Sequence, residues 1–287
     1  MSSIKGKRII ITGGAGSVGS ELVRQLCQKN KIFILDISER AFVLSQELKQ
    51  KGYWVEARIG DIRDENTVQD LFEDFKPQYV FHAAALKHVS PHESYPKEAI
   101  MTNAIGTYNV LHHAKRYECL EKFIYISTDK VVNANSIMGI TKKVGEIMVR
   151  NQGGICVRFG NVMGSDGSVI PIWQRQVDDN LPFTVTDKNA YRYLMTIPES
   201  VKLVIEATEQ GKGGEIFIMD MGKQVNILEI VTKLSSELKR EVPIKMIGLR
   251  PGETLGESLM TEEESKKAVK KGKFYVIGSN SVEQRKD

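Results

Sequence analysis

Cysteine is scarce in this chain. Cys27, Cys119 and Cys156 stand far apart among 287 residues, and none belongs to a CxxC pair. An odd number of cysteines without paired spacing argues against a disulfide framework and against the common zinc-binding patterns. We therefore expect a protein of a reducing compartment, the cytoplasm, with no bound metal.

Long apolar runs are also lacking. The apolar stretch Ile9–Ile11 ends at a glycine cluster and is too short for the core of a signal peptide. No stretch approaches the roughly 18 apolar residues that a membrane-spanning helix needs. The sequence thus predicts a chain without membrane contact.

Neither sign of charge dominates. The 40 basic and 36 acidic residues leave a net charge of +4, far from the concentrated basic surface that nucleic-acid binding needs. The lysine-rich stretch 266–273 is typical of a solvated helix face or a fraying end. Hydrophobic residues make up 41% and charged residues 26%, as in ordinary globular proteins. No nucleic-acid partner is expected.

Short β-branched runs alternate with helical patterns through the first 160 residues. This rhythm predicts βαβ units around a parallel sheet. The predicted strands are Arg8–Thr12, Lys31–Asp36, Trp54–Ile59, Tyr79–Ala83, Lys122–Ser127 and Ile155–Arg158. The predicted helices are Ser20–Lys29, Glu39–Lys51, Glu65–Phe75, Tyr95–Tyr117 and Met138–Asn151. The fold class is α/β, with a Rossmann-type doubly wound parallel sheet.

Beyond residue 160, proline and glycine interrupt the pattern and no second series of βαβ units follows. A helix near Pro198–Glu209 and a strand at Glu215–Met219 are placed to rejoin the main sheet. We predict a main domain over residues 1–160, rejoined by 197–222. Residues 161–196 and 223–287 then form a smaller, discontinuous lobe.

The first strand leads into a glycine-rich turn, TGGAGSVG at 12–19, and then into a helix. Gly13, Gly16 and Gly19 permit a tight turn and close approach of the backbone to a pyrophosphate, and the helix N-terminus offers free N–H groups. Ser17 and Val18 lie in the same turn. The pattern predicts a dinucleotide site in the main domain; a glycine-rich turn without a ligand is the alternative.

Acidic residues follow the next two strands. Asp36 stands at the spacing of an acid that hydrogen-bonds the ribose of a dinucleotide. Its carboxylate would repel a 2′-phosphate, which favours NAD over NADP, although Arg40 is close enough in sequence to bind such a phosphate. Asp61 and Ile62 follow the third strand, where an adenine ring can be bound. An N-cap role is the alternative for Asp61.

Two further strand ends bear groups suited to catalysis, since ligands of such sheets bind at the carboxyl ends of the strands. After the fourth strand, Ala83, Ala84 and Ala85 leave room for a dinucleotide, and Lys87 and His88 are expected to face the crevice. The fifth strand ends in Ser-Thr-Asp-Lys at 127–130, which places a hydroxyl, a carboxylic acid and an amine side by side. A solvated Asp–Lys pair in a turn is the alternative.

Met138 and Lys142 share one face of the following helix, at the spacing where short-chain dehydrogenases have Tyr-x-x-x-Lys. Lys142 is thereby placed to reach a nicotinamide ribose, with residue 138 beside the reacting carbon. A thioether neither accepts nor donates a proton usefully. Another group must therefore do the work of the tyrosine, unless Met138 merely packs beside the nicotinamide.

Seven segments resemble the extended short-chain dehydrogenase/reductase superfamily, specifically its polysaccharide-biosynthesis branch of UDP-N-acetylglucosamine 4,6-dehydratases. They are TGGAGSVGSEL, HAAALKHV, TNAIGTYNV, STDKVVN, GITKKVGE, VRFGNVMGSDGSVIP and RPGE. The most discriminating segment is Thr128-Asp129-Lys130, because dehydratases of other nucleotide sugars resemble Thr-Asp-Glu there. Methionine at position 138 resembles the subgroup that retains the configuration at C5.

The resemblance implies an NAD-dependent dehydration of a UDP-sugar. Hydride leaves the sugar C4, the C5 proton and the C6 hydroxyl are eliminated, and hydride returns to C6. By resemblance, Thr128 orients O4, Asp129 assists the loss of water and Lys130 is the base at C5. A lysine is a base near neutral pH only if burial or positive charge lowers its pKa from about 10.4. Lys87 and Lys142 are the expected sources of that charge.

The smaller lobe is expected to bind the UDP-sugar. Arginines suit the diphosphate because a guanidinium presents a fork of donors to phosphate oxygens, although a single arginine is more often part of a surface ion pair. The candidate substrate contacts are Lys87, His88, Asn103, Asn161, Val169, Arg192, Arg250 and Glu253.

Two alternatives share parts of this pattern. A UDP-sugar 4-epimerase or 4-reductase would need neither Asp129 nor Lys130 as an acid–base pair. A catalytically silent NAD-binding module is suggested by the missing tyrosine. The superfamily also implies a homo-oligomer, formed through the helical stretches near 95–117 and 138–151. The histidines are expected to be structural, since adjacent residues on a helix diverge by about 100°.

Overall fold

The computed structural model describes residues 3–238 and 241–278. Its strands are β1 Arg8–Thr12, β2 Lys31–Asp36, β3 Val55–Ile59, β4 Tyr79–His82, β5 Lys122–Ile126, β6 Ile155–Arg158, β7 Asn161–Met163, β8 Phe183–Val185, β9 Tyr191–Arg192, β10 Leu194–Thr196, β11 Ile216–Met219, β12 Val225–Asn226, β13 Ile244–Met246, β14 Val269–Lys271 and β15 Phe274–Ile277. The predicted strands of the main sheet are confirmed, with ends that differ by at most one residue.

The helices of the described residues are α1 Ser17–Leu26, α2 Arg40–Gln50, α3 Glu65–Phe75, α4 Ser90–Ser94, α5 Pro96–Ala99, α6 Thr107–Lys115, α7 Ile137–Asn151, α8 Val169–Asp178, α9 Ile197–Gln210, α10 Ile227–Glu237 and α11 Glu262–Lys267. None of them combines the length and the apolar composition that crossing a membrane requires.

The main sheet has the order β14-β15-β11-β6-β5-β4-β1-β2-β3 among the described residues. Strands β1 to β6 and β11 pair in parallel, while β15 runs antiparallel to β11 and to β14. The chain moves outward from β1 in one direction to β2 and β3, and in the other to β4, β5 and β6. The predicted α/β, doubly wound sheet is confirmed, and its switch point lies between β1 and β4.

Helices cover both faces of this sheet. In β1, Ile9 and Ile11 pack into the core beneath α1, α2 and α9, whereas Ile10 packs on the opposite side with residues of α3 and α6. All three are fully buried. Alternate side chains of a strand point to opposite faces, so burial of both kinds requires a helical layer on each side.

A second, smaller core lies outside the sheet. It is built around Trp173 of α8, Phe183 and Val185 of β8 and Val231 of α10, all buried. The Trp173 indole donates a hydrogen bond to the carbonyl of Thr184 (2.9 Å), which fastens α8 to β8. This cluster gives the region after β6 an apolar centre of its own.

The predicted helix over 95–117 is confirmed, but it is not α-helical throughout. After the separate short α4, α5 begins at Pro96 and continues without a break through a π-helical segment, Ile100–Gly106, into α6, which ends at Lys115. Pro96 begins α5 because its ring cannot donate the hydrogen bond that a continuing helix would need. Within the π-helical segment, the buried Asn103 amide bonds to both backbone groups of Leu86. The π-helical segment is therefore held to the chain after β4 by the side chain of Asn103.

The lysine-rich stretch is also more ordered than expected. Lys266 and Lys267 lie on α11, as the helical interpretation predicts, but Lys270 and Lys271 belong to the edge strand β14. Lys270 forms an ion pair with Asp220 (2.8 Å). The basic side chains line an edge of the sheet, where charge discourages pairing with other strands.

Candidate active site

A cavity of about 720 Å³ opens at the carboxyl ends of β1, β4, β5 and β6. Its floor is the glycine-rich turn after β1, its far wall belongs to α8, α10 and the segment around Arg250, and Thr128 and Lys130 lie between. A volume of this size suits small-molecule and cofactor ligands. The predicted residues that line the cavity are Gly13, Gly16, Ser17, Val18, Ala83, Ala85, Lys87, His88, Thr128, Lys130, Met138, Lys142, Asn161, Val169, Arg192, Arg250 and Glu253.

The glycine-rich turn packs directly against the chain after β4. Gly13 has φ +69°, and a Cβ there would lie 2.5 Å from the backbone nitrogen of Ala84. No other residue can therefore occupy position 13 without moving the turn. Asp36 holds the turn from the other side, since its carboxylate accepts from the N–H of Ala15 (2.8 Å) and of Ser38 (2.9 Å).

Several predicted cofactor contacts lie outside the cavity lining. Arg40 is turned toward Asp166 (3.0 Å), and both side chains are more than 70% exposed. Such a pair contributes little to stability. The Asp61 carboxylate pairs with Arg63 (2.6 Å), and these bonds outweigh burial and lower its pKa. Ile62 is buried in the core.

The cap of α3 corrects one alternative. Asp64, rather than Asp61, is the N-cap residue, and its side chain accepts from the N–H of Asn66 (3.1 Å). Asp61 instead accepts from the N–H of Arg63. The sequence offered two acids within one loop, and the one adjacent to the first helical residue forms the cap.

Asn103 is another predicted contact that the structure places elsewhere. Its side chain is fully buried. It accepts from the N–H of Leu86 (2.8 Å) and donates to the carbonyl of Leu86 (2.9 Å) and to the hydroxyl of Thr141 (3.2 Å). The amide thus joins the segment after β4 to α7 and has no face toward the cavity.

The Thr-Asp-Lys segment forms a single helical turn directly after β5. The Lys130 ammonium lies 2.9 Å from Asp129 Oδ1 and 3.1 Å from Asn161 Oδ1. Thr128 donates its hydroxyl to the same Asp129 oxygen (3.0 Å). Asp129 is fully buried, and its Oδ2 has no hydrogen-bond partner among the described residues. Lys130 and Thr128 line the cavity; Asp129 lies just behind them.

The charges around Lys130 differ from the sequence expectation. Its charged neighbours are carboxylates: Asp129, and Glu257 at 3.9 Å. Lys87 instead donates to the hydroxyl of Ser165 (3.1 Å), and Lys142 to the carbonyl of Ile126 (2.6 Å). Lys130 therefore lies in a pair with an acid rather than among like charges.

Glu257 is a cavity residue that the sequence reasoning missed. Its carboxylate accepts from the hydroxyl of Thr254 (2.8 Å) and lies 3.9 Å from the Lys130 ammonium. It follows the Arg-Pro-Gly-Glu segment by four residues. The segment indicates a ligand-binding region, but nothing in the sequence indicates that Glu257 will lie beside Lys130.

The two predicted arginines differ in their surroundings. The Arg192 guanidinium donates to the backbone carbonyls of Tyr191, Leu255 and Thr254 at 2.7–3.0 Å. Those bonds occupy much of its donor fork, so Arg192 fastens the cavity wall. Arg250 lines the cavity, and its backbone N–H donates to Glu253 (3.1 Å). Arg250 is the better placed of the two for a diphosphate.

Lys142 is buried beneath the cavity beside Met138. Its ammonium lies 4.0 Å from the centre of the Tyr125 ring, and burial lowers its pKa to about 7. Burial, followed by the charge of Lys142, lowers the pKa of the neighbouring His82 to about 3. The amine therefore changes its charge near neutral pH in the free protein.

We expect Lys142→Met to stabilise the cofactor-free protein, because methionine fills a similar volume without a buried amine. In the native protein Lys142 has a pKa of about 7, against 10.5 for an ordinary lysine. Between these values the unfolded chain binds more protons, so stability rises with pH across this window. The increase in the free energy of unfolding that Lys142→Met brings is therefore largest below about pH 7 and smallest above pH 10.5.

Urea denaturation at about pH 6 and about pH 9 measures this difference. Lys202→Met, on the exposed face of α9, is the matched control and should change little at either pH. If Lys142→Met were stabilised equally at both pH values, Lys142 could not have the lowered pKa.

A buried ionic network supports the site from below. The Arg158 guanidinium, 0% exposed, bonds to Glu146 of α7 (2.7 Å) and Glu264 of α11 (2.8 Å). Glu146 also accepts from the hydroxyl of Ser127 (2.7 Å), the residue before Thr128. Despite its burial, Glu146 has a lowered pKa because Arg158 stabilises its charge. The network connects the helix that bears Lys142 with the strand end that bears Lys130.

Comparison with known proteins places the chain among proteins of sugar metabolism. Residues 9–279 match the family described as polysaccharide biosynthesis protein. The chain is 40% identical over 274 residues to the capsular polysaccharide biosynthesis protein CapD of Staphylococcus aureus, with 90% of this chain and 46% of CapD covered. It thus spans about half the length of that relative. It is 38% identical to a UDP-glucose 4-epimerase of Rickettsia bellii, covering 94% of this chain and 82% of that protein.

Solved structures share the fold. Pen from Bacillus thuringiensis superposes with a TM-score of 0.90 at 34% identity, covering 97% of this chain and 89% of that one. The dTDP-glucose 4,6-dehydratase DesIV from Streptomyces venezuelae, solved with NAD bound, gives 0.77 at 20% identity, covering 90% of each chain. With the family match extending from β1 to the end of the described sheet, the chain belongs to the polysaccharide biosynthesis protein family.

Proposed function

We propose that this chain catalyses the NAD-dependent dehydration of UDP-N-acetylglucosamine to the 4-keto-6-deoxy sugar. The observation that supports it most is the pair of Asp129 and Lys130, 2.9 Å apart, with Lys130 in the wall of the cavity and Asp129 just behind it. An acid and a base side by side are what the loss of water requires and what simple hydride transfer does not.

The residues of the cavity fit a nicotinamide dinucleotide. Gly13 and Gly16 line the cavity, and the N-terminus of α1, which has no side-chain cap, faces it with free N–H groups. Asp36 favours the ribose of NAD, and Lys142 stands below the position that a nicotinamide ribose would take. The bound cofactor supplies hydride removal at C4 and hydride return at C6.

Asp129 and Lys130 can supply both proton transfers of the elimination. One proton passing from the ammonium to the carboxylate turns the ion pair into a neutral amine and a neutral acid. The amine then takes the C5 proton, and the acid protonates the departing C6 hydroxyl, which leaves as water. After C6 has been reduced, the Lys130 ammonium returns a proton to C5 and regains one from solvent, in place of the proton that O4 releases there. Both residues therefore end in their starting charge states.

Thr128 and Met138 concern the oxidation at C4 and the configuration at C5. The Thr128 hydroxyl lines the cavity and donates to Asp129 (3.0 Å), so its oxygen can accept a hydrogen bond from the sugar O4 and orient it, while the O4 proton leaves to solvent. Met138, 2% exposed, offers no proton acceptor beside the reacting carbon. We therefore include retention of the C5 configuration in the proposal. Arg250 and Glu253 would bind the diphosphate and the ribose.

A UDP-sugar 4-epimerase is the second candidate function. It is favoured by the 38% identity to proteins named UDP-glucose 4-epimerase. An epimerase would share the cavity and the cofactor, but its reaction would not use the Asp129–Lys130 pair as acid and base.

The proposal includes a homo-oligomer formed through α6 and α7. These helices expose apolar side chains that an interface would cover, each at least 40% accessible: Tyr108, Ile140, Val144 and Ile147.

Incubation of the purified chain with UDP-N-acetylglucosamine, without added NAD, tests the proposal. We expect mass spectrometry to show the loss of one water, because the hydride returns within one cycle and the cofactor stays bound. An isomer of unchanged mass would support the epimerase, and no reaction would support a silent NAD-binding module. Accumulation of free NADH would indicate a simple dehydrogenase.

Proton NMR of the fresh product in deuterated water reports the configuration at C5. We expect UDP-2-acetamido-2,6-dideoxy-α-D-xylo-hexos-4-ulose, and we expect Met138→Tyr not to raise the rate. Ring couplings of the L-arabino epimer in the first-formed product would place the chain in the inverting subgroup.

A further inference from the structure

Three ligand-type side chains meet away from the active site, on the helical layer that covers one face of the sheet. Glu65 is the first residue of α3, and His112 and His113 lie in the last turn of α6. One nitrogen of each histidine and a carboxylate oxygen of Glu65 all lie within 4.8 Å of one another. The expectation that adjacent histidines diverge too far is corrected: their rings meet edge to face, with centroids 5.1 Å apart.

His113 is the unusual member of this group. Its side chain is fully buried, yet neither ring nitrogen has a hydrogen-bond partner among the described residues. Buried polar atoms in proteins are nearly always bonded. Nε2 points toward Glu65, at 3.4 Å from Oε1, without hydrogen-bond geometry.

We propose that Glu65, His112 and His113 bind a divalent transition-metal ion of the zinc class. Two imidazoles and one carboxylate form a donor set that zinc accepts, with water as the fourth ligand. Calcium and magnesium prefer oxygen ligands throughout. Metal–ligand bonds of about 2 Å put tetrahedral ligand atoms about 3.3 Å apart, and His113 and Glu65 already have that spacing.

Closing the site requires only the exposed partners to move. Glu65 is 62% exposed, and His112 is exposed with its ring stacked on Tyr108, 5.6 Å between centroids. Rotation of these two side chains brings their donor atoms onto an ion held at the buried His113. The fixed ligand is thus in the core and the adjustable ones are at the surface.

An ion at this position would fasten α3 to α6. The loop between β3 and α3 is already bound to α6 by Asn109, which donates to the carbonyls of Ile62 (3.0 Å) and Arg63 (3.2 Å). A metal bond to Glu65 would secure the same loop at its other end. Because the ion binds the folded chain, it should raise the unfolding temperature, and the rise should grow with the logarithm of the ion concentration above its Kd.

Titration of the metal-free full chain with ZnCl₂ by calorimetry, and with CoCl₂ by visible absorption, tests the site. Both are done in a Cys119→Ser background, since Cys27 and Cys156 are buried and Cys119 is the partly exposed thiol. We expect one equivalent of each ion, visible cobalt bands of nitrogen and oxygen ligation, and a rise in unfolding temperature.

His112→Ala and Glu65→Gln are surface changes that should leave the fold intact. Each should weaken zinc binding by about tenfold or more, since even loss of an outer-shell partner of a metal ligand costs that much. Glu73→Gln, an exposed glutamate further along α3, is the matched control and should bind as before. Unchanged zinc affinity in His112→Ala, or binding of no ion by the parent chain, would overturn the proposal.

Discussion

Asp129→Asn and Lys130→Ala are each expected to lower kcat for dehydration by about 100-fold or more, the usual effect of removing a general acid or base. Asparagine keeps the shape of Asp129 and its contact with Lys130 but cannot protonate the leaving hydroxyl. Alanine removes the amine that lies 2.9 Å from Asp129 and 3.1 Å from Asn161. Binding of the UDP-sugar should change only a few-fold in both variants.

Two readouts separate these roles from a structural effect. Blocked elimination should leave the 4-ketone on the enzyme, so the absorbance of reduced nicotinamide should accumulate in Asp129→Asn. Lys130→Ala should lose the incorporation of solvent deuterium at C5. Lys51→Ala, which breaks an exposed ion pair with Glu47 on α2, is the control and should retain full activity. Near-normal turnover in either active-site variant would exclude the assigned role.

Arg158→Met is expected to destabilise the protein by about 3–5 kcal/mol, the cost of removing one partner of a buried pair. The change removes the main partner of the buried Glu146 and leaves it only the ammonium of Lys143 (3.2 Å). It also removes the guanidinium that, against burial, lowers the pKa of Glu264 to about 2. Urea denaturation of the cofactor-free protein measures the loss.

The double variant Arg158→Met/Glu146→Gln tests the cause. Glutamine keeps the bond to Ser127 without a buried charge, so the double variant should recover much of the loss. Lys49→Ala, which breaks an exposed pair with Glu56, should cost about 1 kcal/mol or less. If the double variant were less stable than Arg158→Met, uncompensated charge could not be the reason for the loss.

Much of the sheet could be predicted because its signals are local. The run Arg8–Thr12 is apolar and β-branched, and glycine follows at once, so strand and turn are visible in a dozen residues. The carboxyl ends of parallel strands share one edge, so the sequence alone assigns the glycine turn and the Thr-Asp-Lys segment to one site.

The remaining features depend on contacts between distant segments. Nothing near Asn103 in sequence indicates that Leu86 will bind its amide and that an irregular helical turn will hold it there. Glu257 and Lys130 approach each other across more than a hundred residues. His113 appeared to be one of two diverging histidines, because side-chain rotation is not encoded in the spacing of Cα positions.

The position of Glu264 has a consequence for the order in which the protein can form during synthesis. It lies 106 residues after Arg158, the buried cation that it neutralises, and β15, which pairs with β11, follows it. The first six strands leave the ribosome while that arginine has only Glu146 as a partner. The early sheet can therefore assemble around its glycine turn, but the ionic network beneath Thr128 and Lys142 becomes complete only after α11 has emerged. A nascent chain stopped before α11 would hold the chemical groups of the site without the support that fixes them.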